Sequence, residues 1–267
     1  MEKENFEEMG EVVKEKEEVP TIKFDVSRDT LLEFLNIASI KGTIGELFVN
    51  VTKNGLCAMN TDVGSVMMSV ALLTTDYFFT TELAERQICI EADEIIKLLS
   101  QVREDELEVK ITKDKMTMKT QSMKIKAPLL SYRESKDYSK LVKVSKNLEI
   151  EIQYDYDFEY ELKVAELRKA LVMKGVDVVF KCHDNNVSVT QYSSEYEVTT
   201  MFDFEEEDEG HKVMLSYEYL QKVLSVCDKD GIVTCKFSKE IQPVEIDYNG
   251  LSGTNAVFLI APRIDEY

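Results

Sequence analysis

The sequence predicts an α+β protein of two similar domains, each an antiparallel sheet with two helices packed on one face. Three observations predict this. The order strand, helix, three strands, helix, three strands can be read twice along the 267 residues. Each helical segment is short and places apolar residues at three- and four-residue spacing, the pattern of one buried helix face. A segment at 131–155, hydrophilic up to Asn147 and then reading LEIEIQYDY, stands between the two copies, as a domain boundary does. Short connections favour sequential antiparallel pairing, which sets the strand direction. The domains follow as 20–130 and 156–267, joined by a connecting linker at 131–155 and preceded by an acidic, disordered extension at 1–19.

Residues 1–18 hold eight glutamates and three lysines, a local charge of -5 with little apolar content, which predicts disorder. From Thr21 the chain alternates, and Ser27 is placed to cap a helix whose Leu31, Phe34, Leu35 and Ala38 share one face. Gly42 is the expected stop. Strand-like runs follow at 46–51, 56–59 and 66–73, the first two joined at Asn54-Gly55, a hairpin signal because both residues tolerate positive φ. After an aromatic loop, Tyr77-Phe78-Phe79, a helix is expected from Ala92 to Arg103 with Ile95, Ile96, Leu99 and Val102 inward. Strands near 106–112, 115–121 and 123–130 close the first half. The second half reads as a strand near 156–162, a helix from Lys163 to Lys174, strands near 176–181, 186–192 and 195–204, a helix from Ser216 to Cys227 burying Leu220, Val223 and Leu224, and strands near 231–237, 242–248 and 255–261.

Composition narrows the function. The net charge is -19, so phosphate contact over the general surface is excluded and any nucleic-acid contact is confined to a patch. The five cysteines are odd in number and form no CxxC pair, which indicates neither a disulfide framework nor a zinc site and fits a reducing, intracellular compartment. No apolar run approaches the roughly 20 residues that span a bilayer, and the N-terminus is acidic, unlike a signal sequence. No membrane association is expected. Enzyme signatures are missing too: there is no GxxxxGK[ST], HExxH or GxSxG. Cys182 and His183 are neighbours on an expected strand and so point to opposite faces, and Lys41-Gly-Thr-Ile-Gly45 reads as a helix end and turn in preference to an RNA-clamping GxxG. Glu205–Glu209 reads as an acidic loop in preference to a cation site. No cofactor, metal or catalytic residue is expected.

One segment has the opposite charge to the rest. Lys163–Lys174 carries Lys163, Arg168, Lys169 and Lys174 against the single acid Glu166, with Val164, Leu167 and Leu171 on its apolar face. An amphipathic surface helix with solvating lysines is the ordinary explanation; the sharper one is a helix that faces a polyanion while the acidic remainder faces away.

The twofold strand–helix order, the linker and the ending Val257-Phe-Leu-Ile-Ala-Pro-Arg-Ile264, followed by Asp265 and Glu266, resemble the proliferating cell nuclear antigen type of DNA sliding clamp. Asp62-Val-Gly-Ser-Val66 is similar to the family's Asp-x-x-x-Val, and Gln242-Pro243-Val-Glu to its proline-led penultimate strand. The likeness covers about 20–267; the acidic extension and a longer linker depart from the pattern. The resemblance implies the DNA clamp fold, a homotrimeric head-to-tail ring, and helices lining a hole that encircles double-stranded DNA without reading its sequence. It implies a non-enzymatic processivity factor for DNA replication and repair, acting inside the cell at the replication site, in cytoplasm, nucleoid or nucleus. The partners it implies are DNA polymerase, a clamp loader ATPase, and flap nuclease and ligase type proteins that bind through short peptide motifs. Two other readings stay open: a subunit of a heteromeric, checkpoint-type clamp, and an acidic protein-binding scaffold that does not encircle DNA.

Carried onto this sequence, the DNA-facing residues are Lys97 and Arg103 from the second helix, Lys163, Arg168, Lys169 and Lys174 from the third, Lys222 and Lys229 near the fourth, and Arg28 and Lys41 at the ends of the first. Such contacts hold phosphates loosely, as sliding requires. The peptide pocket, apolar and filled by aromatic anchors, uses Val66, Leu148, Ile150, Pro243, Leu259, Ala261, Pro262 and Ile264. Ring closure needs two complementary edges: Lys119, Lys124 and Lys126, assigned to the last strand of the first half, are complementary to Glu195, Glu197 and Asp203 on the strand near 195–204.

Overall fold

The computed structural model describes residues 19–130, 136–184, 186–202 and 210–264. The acidic extension up to residue 18, Asn185, Asp203, the acidic run Glu205–Glu209, and Asp265 and Glu266 lie outside the described residues. The first half runs β1 (Ile22–Ser27), α1 (Arg28–Ser39), β2 (Glu46–Thr52), β3 (Gly55–Thr61), β4 (Met67–Thr74), a 3-10 turn at Thr75–Tyr77, β5 (Phe78–Glu82), β6 (Arg86–Glu91), α2 (Ala92–Leu99), β7 (Glu106–Ile111), β8 (Lys115–Lys119) and β9 (Lys124–Pro128). The connecting segment holds β10 (Val142–Val144) and β11 (Ile150–Ile152). The second half runs β12 (Phe158–Lys163), α3 (Val164–Ala170), β13 (Val178–Cys182), β14 (Val187–Tyr192), β15 (Glu197–Phe202), β16 (His211–Leu215), α4 (Tyr217–Val226), β17 (Ile232–Phe237), β18 (Val244–Asn249) and β19 (Thr254–Ile260).

The expected α+β organisation of two similar halves, antiparallel throughout and with two helices each, is what the structure has. The strands of each half, however, divide between two sheets. One piece from each half joins across the middle into an eight-stranded sheet, β12-β17-β18-β19-β4-β3-β2-β6, flanked by a five-stranded sheet β5-β1-β7-β8-β9 and a four-stranded sheet β15-β14-β13-β16. The seam is the β19–β4 ladder, running from Thr254 opposite Leu73 to Ile260 opposite Met67. β5, β6, β16 and the β10–β11 hairpin are additions to the expected strand set.

β4 explains why the seam is central. Its run MMSVALL is apolar on both sides of the pleat, the pattern of a strand covered on both faces, and every residue from Met67 to Leu73 is buried. Met67, Ala71 and Leu73 join the main core beneath the helices, where Ser69 Oγ donates to Ile37 O of α1 at 3.0 Å. Met68 and Val70 face the other way, under the connecting segment.

α1 starts as the sequence suggests, with the Ser27 side chain accepting from Thr30 N and with Leu31, Phe34, Leu35 and Ala38 buried. Burial of Leu31, Phe34 and Leu35 contributes about 1.5–3 kcal/mol each. Its end comes earlier than Gly42: Ile40 and Lys41 are both left-handed, at φ 48, and Lys41 N donates to Asn36 O at 2.9 Å. The helices form a row in which α2 touches α1, α1 touches α4 and α4 touches α3, with α1 lying on both β4 and β19. α2 ends at Leu99 and α3 at Ala170, so Arg103 and Lys174 stand in the loops beyond them and are not helical as the sequence reading had them.

Gly55 opens β3 where β2 turns back, leaving Lys53 and Asn54 as the turn. Its φ is +140, and a Cβ there would meet Leu73 O at 2.0 Å, so only glycine lets β3 approach β4 this closely.

Candidate functional site

Of the ten basic residues assigned to the helical face, three turn out to staple the helices together. Arg28, at the start of α1, donates through Nη1 to Val102 O beyond α2 at 2.6 Å and through Nε to Asp29 at 2.8 Å. Lys41 Nζ donates to Ser225 O at 2.6 Å, and Arg168 Nη2 donates to Leu224 O and, at 2.9 Å, to Cys227 O. Lys41 and Arg168 thus both satisfy the carbonyls that the end of α4 leaves open, where the helix dipole favours cations. Lys41, Arg168, Leu171, Tyr217 and Gln221 line a cavity of about 310 Å³ at this junction.

The other seven are exposed. Lys97, Lys169 and Lys222 stand on the open faces of α2, α3 and α4, Arg103, Lys174 and Lys229 in the loops that follow those helices, and Lys163 at the entry to α3. Lys97 lies 3.8 Å from Glu94, Lys163 3.2 Å from Glu166 and Lys229 4.0 Å from Asp230. Such exposed pairs are weak and screened by salt, so these lysines can exchange partners readily. Lys222 Nζ sits 5.5 Å from the centre of the Tyr219 ring, while Lys169 and Lys174 have no ion pair among the described residues.

At one end of the eight-stranded sheet the loop 62–66 meets the end of β19. Asp62, 7% exposed, organises this loop: Oδ1 accepts from Val66 N and Met67 N, each at 2.8 Å, and Oδ2 accepts from Gly64 N at 3.1 Å. Tyr219 of α4 also donates to Oδ2, at 3.2 Å, which ties the loop to the second half. Burial, then the Asp62 carboxylate, raises the Tyr219 phenol above its usual range. Val66 O accepts from Ala261 N at 2.8 Å, and Pro243 directly precedes Val244, which pairs with Ile260. Beyond Pro262 the chain is held by Arg263, whose N donates to Met214 O at 2.8 Å and whose side chain pairs with Asp177. Ile264 is left 69% exposed.

Six of the eight expected pocket residues therefore gather at this end: Val66, Pro243, Leu259, Ala261, Pro262 and Ile264. Leu148 does not. It packs on Cys57 and Leu72 beside Gly55, separated from Val66 by the length of β4, roughly 23 Å at about 3.3 Å per residue. The cause is the path of the connecting segment. It begins where Lys136 Nζ donates to Ser65 Oγ at 3.2 Å and Tyr138 bonds Thr61, runs the length of β4, and folds back as the β10–β11 hairpin with Val142 opposite Ile152 and Val144 opposite Ile150. Leu148 is in the hairpin turn, left-handed at φ 59, and Asn54 Nδ2 holds the turn through Lys146 O at 2.6 Å. Ile150 lies midway, packed on both small clusters beneath the hairpin. Leu259 is covered by the same hairpin.

Sequence reasoning missed Tyr219 and undervalued Asp62. The Asp-x-Gly pattern is a local Asx-turn signal; Tyr219 gives none, because its partner lies 157 residues away.

The two oppositely charged edges are real sheet edges. β9 ends the five-stranded sheet and β15 ends the four-stranded one. Lys124 and Lys126 are exposed on β9, and Glu197 is exposed on β15. Lys119 instead pairs with Glu108 of β7 at 3.6 Å. Glu195 precedes β15, in a turn where Ser193 N donates to Tyr196 O.

Cys182 is buried at the end of β13, and burial pushes its thiol up to about 12, as it does for Cys57 and Cys227. A thiol so raised is neutral and unreactive near pH 7. His183, next in the chain, has its carbonyl taken by Tyr160 Oη.

No protein-family model matches the sequence, and comparison with curated protein sequences finds no match. Solved structures do match. PCNA of A. fulgidus, with the C-terminal region of FEN-1 bound, superposes with TM-score 0.75 at 16% identity, over 92% of this chain and 100% of that one. PCNA of Thermococcus kodakaraensis gives 0.74 at 15%, over 91% and 100%, and the PCNA2-PCNA3 complex of Sulfolobus tokodaii gives 0.71 at 16%, over 90% and 99%. Across nearly its whole described length, this chain has the two-domain fold of the PCNA sliding clamps.

Proposed function

We propose that the protein is a sliding clamp subunit: three copies close head to tail around duplex DNA and tether replication and repair proteins to it, without catalysis of their own. In this reading 20–130 and 156–267 are the two clamp domains and 131–155 the connector. The observation that carries it is the pair of unpaired edges. β9 offers Lys124 and Lys126, and β15 offers Glu197 with Glu195 just before it, at the free sides of different sheets in the two halves. Pairing β9 of one copy with β15 of the next satisfies both ladders and generates a ring if the rotation closes. The fold shared with PCNA structures supports the same conclusion.

Wild-type protein is expected to sediment as a trimer at micromolar concentration in physiological salt. Reversing Lys124 and Lys126 to glutamate is expected to give monomers, and adding Glu195→Lys and Glu197→Lys to that variant is expected to restore the trimer by exchanging the two charges. A wild-type monomer, or a four-fold variant no more associated than the two-fold one, would count against the ring.

The helix row supplies the inner wall. α1 to α4 carry five basic and six acidic side chains by sequence, close to neutral in a chain of net charge -19. The wall tolerates DNA without gripping it, and enclosure supplies the residence time. Reversing Lys169 and Lys222 together, both exposed and neither bonded to a main-chain carbonyl, is expected to shorten polymerase products made in the presence of a loader while leaving the trimer intact. Unchanged product length would remove DNA contact from these helices.

Partner peptides are proposed to enter at the Val66–Ala261–Pro262 end, where Ile264 is exposed. FEN-1 bound to A. fulgidus PCNA supports a peptide of that kind. DNA polymerase, a clamp loader ATPase, flap nuclease and ligase are the partner classes that fit this reading.

A further inference from the structure

Leaving β11, the connecting segment packs Tyr154 on the cluster that holds Val257 and Leu259 of β19 and brings the Tyr156 phenol against Glu245 and Asp247 of β18. Beneath it three ionisable side chains meet. Lys236 Nζ donates to Glu245 Oε1 at 2.6 Å and lies 2.7 Å from Asp247 Oδ2. Glu245 is only 3% exposed. Three oxygens of this cluster, Tyr156 Oη, Glu245 Oε2 and Asp247 Oδ1, are buried with no hydrogen-bond partner among the described residues. Buried polar atoms are rarely left so, and three together point to something that completes the site.

Counting donors identifies it. Two carboxylates face one ammonium, leaving one negative charge in excess in a site where an uncompensated buried charge is strongly unfavourable. The phenol has one hydrogen to give and can satisfy one carboxylate oxygen. One further proton, on Glu245 Oε2 and donated toward Asp247 Oδ1, satisfies the other and cancels the excess charge. It comes from solvent, and no bond other than an O–H forms or breaks.

We propose that Glu245 keeps its proton through the mildly acidic range up to neutrality and that this proton fastens the Tyr154–Tyr156 arm to the second-half sheet, so that the connecting segment loosens as pH rises. The surroundings are consistent with it. β17 contributes Lys236, β18 Glu245 and Asp247, the arm Tyr154 and Tyr156, and β12 the exposed Glu159 opposite Lys236. β19 contributes the apolar Val257 and Leu259. Burial is the largest influence on the Glu245 carboxyl, followed by the opposing effect of Lys236; with Asp247 the result is a rise from 4.5 to about 7. Burial, then the Glu245 carboxylate, raises the Tyr156 phenol as well. A carboxyl that binds its proton more tightly in the docked state supports docking fully below pH 4.5, progressively less between 4.5 and about 7, and no further loss follows above that.

The test uses the full chain labelled with carboxyl carbon-13 and followed by NMR, with hydrogen exchange of amides 150–157 corrected for intrinsic rates. The Glu245 carboxyl is expected to titrate near neutrality, and protection of the arm to fall by about tenfold or more between about pH 5.5 and about pH 8.5. In Glu245→Gln, which keeps a neutral donor in place, protection is expected to stay at the low-pH level throughout. A wild-type carboxyl titrating near its ordinary value would overturn the proposal, and this reading needs no variant to fold. Protection that follows sodium or potassium concentration at fixed pH would also overturn it, by assigning the three oxygens to a bound cation.

Discussion

Replacing Asp62 with alanine is expected to destabilise the protein by about 4 kcal/mol, because a hydrogen bond to a buried charged group contributes about 1.5–3 kcal/mol and several are lost at once, less than additively. Val66 N, Met67 N and Gly64 N lose their acceptor, and Tyr219 Oη loses its partner. Met67 N is buried and has no route to water, whereas Val63, Gly64 and Ser65 are exposed, so Gly64 N recovers part of its loss from solvent. Asp62→Asn separates the contributions. Its remaining carbonyl oxygen still accepts from Val66 and Met67, while its amide nitrogen can accept from neither Gly64 nor Tyr219, so about half the loss is expected. Tyr219→Phe isolates the link between the halves, about 1 kcal/mol. Urea denaturation measures all three. The same variants bear on function, since Val66 and its carbonyl bond to Ala261 sit where partner peptides are proposed to enter: affinity for a glutamine-led peptide with paired aromatics is expected to fall in the order Ala, Asn, Phe. A loss under about 1 kcal/mol in Asp62→Ala would mean that the turn sequence alone holds the loop.

Features that depend on neighbours in the chain were readable without the structure. Ser27 capping α1, the buried faces of α1 and α4, and the strand at 66–73 all rest on local spacing. The lysines of β9 and Glu197 of β15 were readable as edges because alternation puts their charges out. What could not be read depends on partners far away. β5 exposes all but Phe78 and exists because β1 offers it a ladder, which no periodicity announces. β16 sets the apolar Met214 between the buried Val213 and Leu215, so no alternation marks it. The fusion of two domain sheets at β4 and β19 leaves each strand looking like any core strand. Arg168, Lys41 and Arg28 looked like solvated cations because the carbonyls they serve belong to other helices. Leu148 is a pocket residue only by the family resemblance, and the β10–β11 hairpin carries it to the opposite end of β4.

The same dependence on distant partners decides where α3 stops, and Gln191→Leu is expected to show it. The sequence VAELRKALVMK favours continuing the helix, since Leu171, Met173 and Lys174 are good helix formers, yet α3 ends at Ala170. Gln191 of β14, 0% exposed, stands in the way of continuation. Its Oε1 accepts from Met173 N at 2.9 Å, and its Nε2 donates to Met173 O at 2.8 Å and Val176 O at 2.9 Å. These bonds hold 173–176 as a turn with Gly175 left-handed at φ 74, and a residue bonded in this way cannot also close a helical turn. Leucine fills similar volume but leaves three buried main-chain groups with weakened or no partners, so a loss of about 3 kcal/mol is expected from orphaned groups at about 1–3 kcal/mol each. Urea denaturation gives that figure, and Cα chemical shifts report the geometry: residues 171–174 are expected to move toward helical values as the local preference takes over. Gln191→Glu, which keeps an acceptor for Met173 N and offers nothing to the two carbonyls, is expected to destabilise without that gain in helicity. If the leucine variant keeps both wild-type stability and wild-type shifts, the turn is held by Gly175 alone and β14 does not set the length of α3. If the shifts move as expected, the position of Lys174 is governed by a buried amide on a neighbouring sheet, and the length of the face proposed to meet DNA is set by β14 and not by the helix sequence.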